Sequence, residues 1–168
     1  MSTIEARIDH LEQLEAIRRL KHHTYCRCVD RVVAGDPGAR AEISAHLCDD
    51  VVADFTGFAL MEGRAAVETF LFEHVPSVLA YSQHRVMNDV IDRDGEAAEA
   101  LWYLDCPVVF RAGNALGIVG SAMIAGRYEE RYRREGGVWK FHRITALLDT
   151  VKAFAENWNG AVQLETNR

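Results

Sequence analysis

The sequence has no excess of positive charge, no long apolar run and no cysteine framework. Its 19 Lys and Arg against 25 Asp and Glu leave a formal net charge of −6. Nucleic acids are bound by basic faces that displace counterions from phosphate, so no nucleic-acid partner is expected. No stretch approaches the roughly 20 apolar residues that span a bilayer, so no membrane partner is expected either. The opening residues, Met1 to Arg7, are polar and lack the apolar core and cleavage site of a secretion signal. Cys26, Cys28, Cys48 and Cys106 show no disulfide-framework spacing, which predicts buried thiols in a reducing cytoplasm. His22 and Cys26 stand a helical turn apart but have no convergent companions, so no metal is expected. Gly113, Gly117 and Gly120 lack phosphate-loop spacing, and no Gly-x-Ser-x-Gly element occurs.

What is present suits one globular domain. The 168 residues are 49% apolar and 26% charged, enough for a single core. The expected domain has its core over about residues 8–150 and a polar tail over 151–168, with Trp158 and Val162 as possible anchors.

Ile8, Leu11, Leu14, Ile17 and Leu20 draw one apolar stripe along a helix over Ile4–Val33. Gly35 ends it, and Asp36-Pro37 caps a second helix running to about Leu47. Val51–Phe55 reads as a strand, followed by a short helix from Arg64 that Pro76 stops. The pattern then changes to alternation. Strands are expected over Tyr81–Ile91, Ala97–Phe110, Ile118–Arg134 and Val138–Leu148, with hairpins at Asp94-Gly95 and Gly136-Gly137. Helices first and long antiparallel strands afterwards make an α+β fold. Strands well beyond the typical five or six residues must bend strongly, which predicts a cone-shaped barrel whose helices close a deep pocket. Such a cavity suits a small hydrophobic ligand.

His84 is the leading candidate for chemistry. It shares a strand face with Ser82, Val86, Asn88 and Val90, and an imidazole both takes and gives protons near neutrality. The alternative is a strand histidine facing solvent. Asp30 ends an apolar stretch and either faces water or is held by a partner. If that partner is His84, the carboxylate fixes the tautomer of the base. Tyr25, five residues before Asp30, reaches the same pocket only if the helix lies across its mouth; otherwise it packs in the core. Asp105 interrupts the apolar strand Trp102–Pro107 and points either to solvent or into the cavity. Arg127 and His142 are possible cavity cations, whereas Glu129–Arg134 reads as a solvated hairpin arm. Phe55, Trp102, Tyr103 and Asn88 complete the expected substrate contacts.

Several elements in order give the chain a family resemblance. They are Glu15–Leu20 running into Tyr25 and Asp30, the Gly63-Arg64 turn, His84–Asn88, Trp102-Tyr103-Leu104, Tyr128–Tyr132 and Gly137–Phe141. Over roughly Ile8–Asp149 the chain resembles the SnoaL-like branch of the nuclear transport factor 2-like superfamily. It is similar within that branch to the bile-acid 7α-dehydratases, the hexachlorocyclohexane dehydrochlorinases and the scytalone dehydratases. The resemblance implies a catalytic strand histidine at His84 and a helix tyrosine and aspartate at Tyr25 and Asp30. The family's strand aspartate falls at Cys106, one residue beyond Asp105, and such a shift swaps strand faces.

Together these features predict a cofactor-independent lyase. His84, oriented by Asp30, removes a proton, and Tyr25 assists a departing oxygen. Asp105 and Arg127 help to hold the substrate, a hydrophobic hydroxylated ring of steroid or aromatic type, which loses water or a small carbonyl fragment. An isomerase or cyclase with the same base is the nearest rival. A non-catalytic module, such as the small subunit of a ring-hydroxylating oxygenase, is the rival of a different class. A homodimer or homotrimer is expected, because an open sheet face must be covered.

Overall fold

The computed structural model describes residues 3–153. Trp158, Val162 and the rest of the tail beyond 153 lie outside the described residues. Thr3 caps the first helix, α1 (Ile4–Arg19), its hydroxyl accepting the Ala6 N–H at 3.2 Å. The expected stripe turns inward only from Ile17. Ile8 and Leu11 are 51% and 63% exposed, because the early turns meet the sheet through polar side chains: Asp9 with Arg93, and Gln13 with Trp139.

The helix does not stay regular. Leu20–Arg27 is π-helical before α2 (Cys28–Val33) resumes the α geometry. The wider coil, bonded i to i+5, brings residues five apart closer to one face than an α-helix would. Tyr25 and Asp30 profit from that displacement. After α3 (Pro37–Ser44), capped by Asp36 with Pro37 in its first turn, the strand β1 (Leu47–Phe55) starts earlier than expected. The short β2 (Met61–Glu62) leads into α4 (Arg64–Thr69), a π-helical turn Phe70–His74 and α5 (Val75–Val78). Pro76 therefore does not stop the helix. It sits where the π-helical turn runs on into α5, and the Phe72 carbonyl, four residues back, instead accepts a hydrogen bond from the Arg40 guanidinium at 3.0 Å.

The strand expected over Tyr81–Ile91 is two strands, β3 (Leu79–Ser82) and β4 (Arg85–Asp94), interrupted at Gln83 and His84. Both pair with β5 (Ala97–Phe110), which pairs in turn with β6 (Ser121–Glu135) and then β7 (Val138–Ala153). The order is β2-β1-β7-β6-β5-β3, with β4 also on β5, and only β1 and β7 run parallel. Both predicted hairpins are present.

Curvature comes from register shifts, among them one between Ala125 and Gly126 on β6. There the chains approach so closely that a Cβ on Gly126 would lie 2.2 Å from the Leu147 carbonyl oxygen. The curled sheet and the helices enclose one core, which includes Ile17, Cys28, Ile43, Leu47, Trp102 and Phe141. This is the cone-shaped α+β architecture that the strand lengths predicted. Among the described residues no helix is long and apolar enough to cross a membrane.

Candidate active site

Strand alternation decides which side chains reach the inside of the cone. On β5 the buried series is Ala98, Ala100, Trp102, Leu104, Cys106 and Val108. Asp105 and Tyr103 lie on the opposite, outer face, where Tyr103 is 50% exposed and Asp105 stands across from Arg85. The β5–β6 register runs without a bulge from Ala97 to Val109, so nothing returns Asp105 to the cavity. Its expected role is corrected for that reason, and Cys106 takes the inward place.

Three further expectations fail on the same outer face. Arg127 is bound there by Glu129 and Asp149, at 3.1 and 3.4 Å. His142 faces Asp50 at 3.6 Å. Asn88 adopts φ 53° at the bulge between Met87 and Val90, which reverses the alternation. Asn88 and Val90 are turned outward, while Asp89 comes round to meet Arg18 at 2.8 Å. Trp102 does face inward, but it is fully buried at the closed end of the cone, edge-on to His22, and forms no part of the cavity wall.

His84, Asp30, Tyr25 and Phe55 are brought together. His84, Tyr25 and Phe55 border a mostly apolar cavity of about 260 Å³, whose wall includes Phe58, Phe70, His74, Leu104, Cys106 and Tyr128, while Asp30 stands behind His84. A larger groove of about 550 Å³ runs along the outer sheet face between charged side chains such as Glu99, Glu129 and Arg131, but it lacks an oriented base.

The His84 geometry follows from the break between β3 and β4. Free of the ladder, the His84 backbone N–H donates to both Asp30 carboxylate oxygens, at 3.2 and 3.0 Å. The His84 Nδ1 meets Asp30 Oδ1 at 2.6 Å, and the Ser82 hydroxyl donates to the same oxygen at 2.7 Å. One carboxylate thus fixes both the backbone and the ring of His84. With Nδ1 bound, Nε2 is the atom free to exchange protons. The side chains are only 12% and 20% exposed. Burial opposes protonation of the imidazole, but its Cys106 and Asp30 neighbours outweigh it and hold the His84 pKa well above 6.5.

Tyr25 is 1% exposed and packs edge-on to Tyr128, with ring centroids 5.8 Å apart. Burial, aided by the nearby Glu130 carboxylate, pushes its phenol well above 10, so it stays neutral. Tyr128 is raised in the same way, chiefly by burial.

Beneath these tyrosines lies a pair that sequence reading assigned wrongly. Glu130 and Tyr132 were expected on a solvated arm, yet alternation along β6 turns both inward. Lys21 Nζ meets Glu130 Oε1 at 2.6 Å with both side chains fully buried, and the Tyr132 hydroxyl donates to Glu130 Oε2. The ammonium also sits 3.3 Å from the Tyr128 ring centroid and 4.2 Å from that of Tyr25. Ser82, Cys106, Tyr128 and Lys21 are the site residues that sequence reading missed. Parity with His84 on its strand, or with Trp102 on β5, was the available signal for Ser82 and Cys106. Tyr128 shared its parity with Glu130 and Tyr132 on β6, and Lys21 carried no such signal.

All four cysteines are free and buried. Among the described residues no group of three or more His, Cys, Asp or Glu side chains could hold a metal ion.

No curated protein matches the sequence. Among solved structures, a type 2 hexachlorocyclohexane dehydrochlorinase (LinA) superposes with a TM-score of 0.76 at 18% identity, covering 90% of this chain and 95% of that one. The type 3 LinA of Novosphingobium barchaimii gives 0.75 at 19% identity, with 89% and 94% covered. A candidate scytalone dehydratase of Novosphingobium aromaticivorans gives 0.72 at 18% identity, with 92% and 97% covered. At such identities the likeness is one of fold. The model of the SnoaL-like domain matches residues 9–145, most of the chain, and the protein therefore belongs to the SnoaL-like domain family.

Proposed function

We propose that the protein is a cofactor-independent lyase acting in the cavity above His84. The observation that carries this reading is the 2.6 Å contact between His84 Nδ1 and Asp30 at the floor of an apolar pocket. A binding module has no use for an imidazole oriented from both its ring and its backbone. The neutral form of His84 removes a proton through Nε2 from a carbon next to a carbonyl or phenol. The electrons left behind expel a β-oxygen substituent, and Tyr25 hydrogen-bonds or protonates that oxygen as it leaves. The names carried by two structural neighbours, a dehydrochlorinase and a candidate scytalone dehydratase, are those of elimination enzymes.

The cavity size bears on the substrate. At about 260 Å³ it lies just below the roughly 300–1,000 Å³ of typical ligand pockets, which favours a one- or two-ring aromatic compound over a steroid. Ring contacts are available from Phe70 and from Phe55 and Phe58, whose centroids lie 4.8 and 5.1 Å from that of Phe70. Beside these rings His74, stacked on Phe70, offers the substrate a second polar contact in addition to His84. A homodimer or homotrimer remains our proposal for covering the outer sheet face, where Val90 and Tyr103 are 56% and 50% exposed.

The test is a product screen by mass, offering hydroxylated aromatics of lignin type alongside hydroxysteroids. We expect loss of water from an aromatic compound by the wild type and not by His84→Gln. Equal turnover by the two proteins would sink the mechanism.

A further inference from the structure

The cavity holds a second reactive group that the elimination does not use. Cys106 lies on the inner face of β5, in the cavity wall. The ladder hydrogen bond from Gln83 N–H to the Pro107 carbonyl and the Arg85–Asp105 pairing flank one cross-strand position, which sets His84 opposite Cys106. Directly opposed residues hold their Cβ atoms about 4.5–5.5 Å apart. The thiol is therefore on the imidazole's cavity side, while Asp30 holds Nδ1 from the helix side. Cysteine, oriented histidine and carboxylate make a nucleophile, base and orienting acid in sequence.

We propose that Cys106 is a covalent nucleophile toward small ring-shaped α,β-unsaturated carbonyl compounds, activated by the His84–Asp30 pair. His84 Nε2 takes the thiol proton, and a sulfur lone pair forms the C–S bond at the β-carbon. The C=C π electrons shift to give an enolate, whose oxygen accepts a hydrogen bond from Tyr25. The α-carbon then takes the proton back from the imidazolium. The sum is addition of S–H across C=C, with no change of oxidation state and no further reagent. The proposal uses the location of the base given above but not its elimination chemistry.

The other thiols make the choice specific. Cys28 is enclosed beside Arg31 and Glu42, and Cys48 is enclosed beside Arg133 and Glu135; burial pushes both up to about 11. Burial also raises Cys26. None of the three borders the cavity, and only the thiolate attacks such carbons.

The test incubates the full chain with 2-cyclohexenone and follows adduct formation by intact mass and peptide mapping, with no turnover required. One adduct per chain is expected, on Cys106. Its rate should fall by roughly a hundredfold in His84→Gln, the usual scale for a positioned base. Cyclohexanone fills the same space and cannot add, so it should slow labelling of the wild type. That arm involves no substitution and is immune to misfolding of a variant. Labelling spread over Cys26, Cys28 or Cys48, no labelling at all, absence of protection by cyclohexanone, or an undiminished rate in folded His84→Gln each overturns the proposal. Failure of the elimination reading leaves every one of these readouts in place.

Discussion

Replacing Lys21 by Met tests the buried pair beneath the site. The substitution keeps the length and apolar stem of the side chain and deletes the ammonium. Glu130 then has its Tyr132 hydrogen bond but no counter-charge, in a position of 0% side-chain exposure. Breaking a fully buried pair from one side costs about 3–5 kcal/mol, because a carboxylate is left without compensation. For a chain of this size each kcal/mol moves the melting temperature by about 2–4 °C, so Lys21→Met should melt roughly 6–20 °C lower. The double variant Lys21→Met/Glu130→Gln removes both charges and leaves an amide that the Tyr132 hydroxyl still reaches. It should recover most of the loss, since desolvating a pair of charges offsets most of what their attraction contributes. Thermal melts followed by circular dichroism, with a double-mutant cycle completed by Glu130→Gln, measure both numbers. A loss below about 1 kcal/mol in Lys21→Met, or a double variant no more stable than the single ones, would refute the view of an enclosed and mutually dependent pair.

Asp30→Asn keeps an oxygen for the His84 backbone N–H but removes the charge behind Nδ1; kcat/KM for the elimination should drop by about 10²–10⁴-fold, as for a base that loses its orientation and proton affinity. The raised His84 pKa has two consequences of opposite appearance. Activity that needs the neutral imidazole should rise with pH through a value above 6.5, and Asp30→Asn should move that limb to lower pH, which a kcat/KM–pH profile reads directly. Stability runs the other way: the folded state holds the His84 proton more tightly than the unfolded chain, so this contribution is fully present below about 6.5 and is lost as pH rises through the raised value. Denaturant titrations of wild type and His84→Gln across that range should converge at the alkaline end. Gly126→Ala drives a methyl into the Leu147 carbonyl at a register shift; a loss of about 1–3 kcal/mol is expected in the same titrations, and a neutral result would show that the strands can separate there.

The sequence alone determined the main helices and long strands in their order, because that information is local, but not β2 or the break between β3 and β4. Alternation marked the long strands, Asp94-Gly95 and Gly136-Gly137 marked the hairpins, and Asp36-Pro37 marked a helix start. The sum of long strands and leading helices was sufficient for the cone. His84, Asp30 and Tyr25 could be named because their spacing within a resemblance is also a linear property. Which face each strand residue shows to the cavity was decided only in three dimensions. Asp105 and Cys106 are adjacent in sequence and differ only in parity, which the uninterrupted β5–β6 register sets. Asn88 left the inner face at a bulge, and Glu130 left a charge-rich run for full burial because Lys21, more than a hundred residues away, was there to meet it. The 2.6 Å contact of Asp30 with His84 needed the π-helical turn before one and the gap between strands before the other. Strand parity and long-range pairing depend on residues distant in the chain, so no local pattern encodes them. Those two things separate a list of candidate residues from a site.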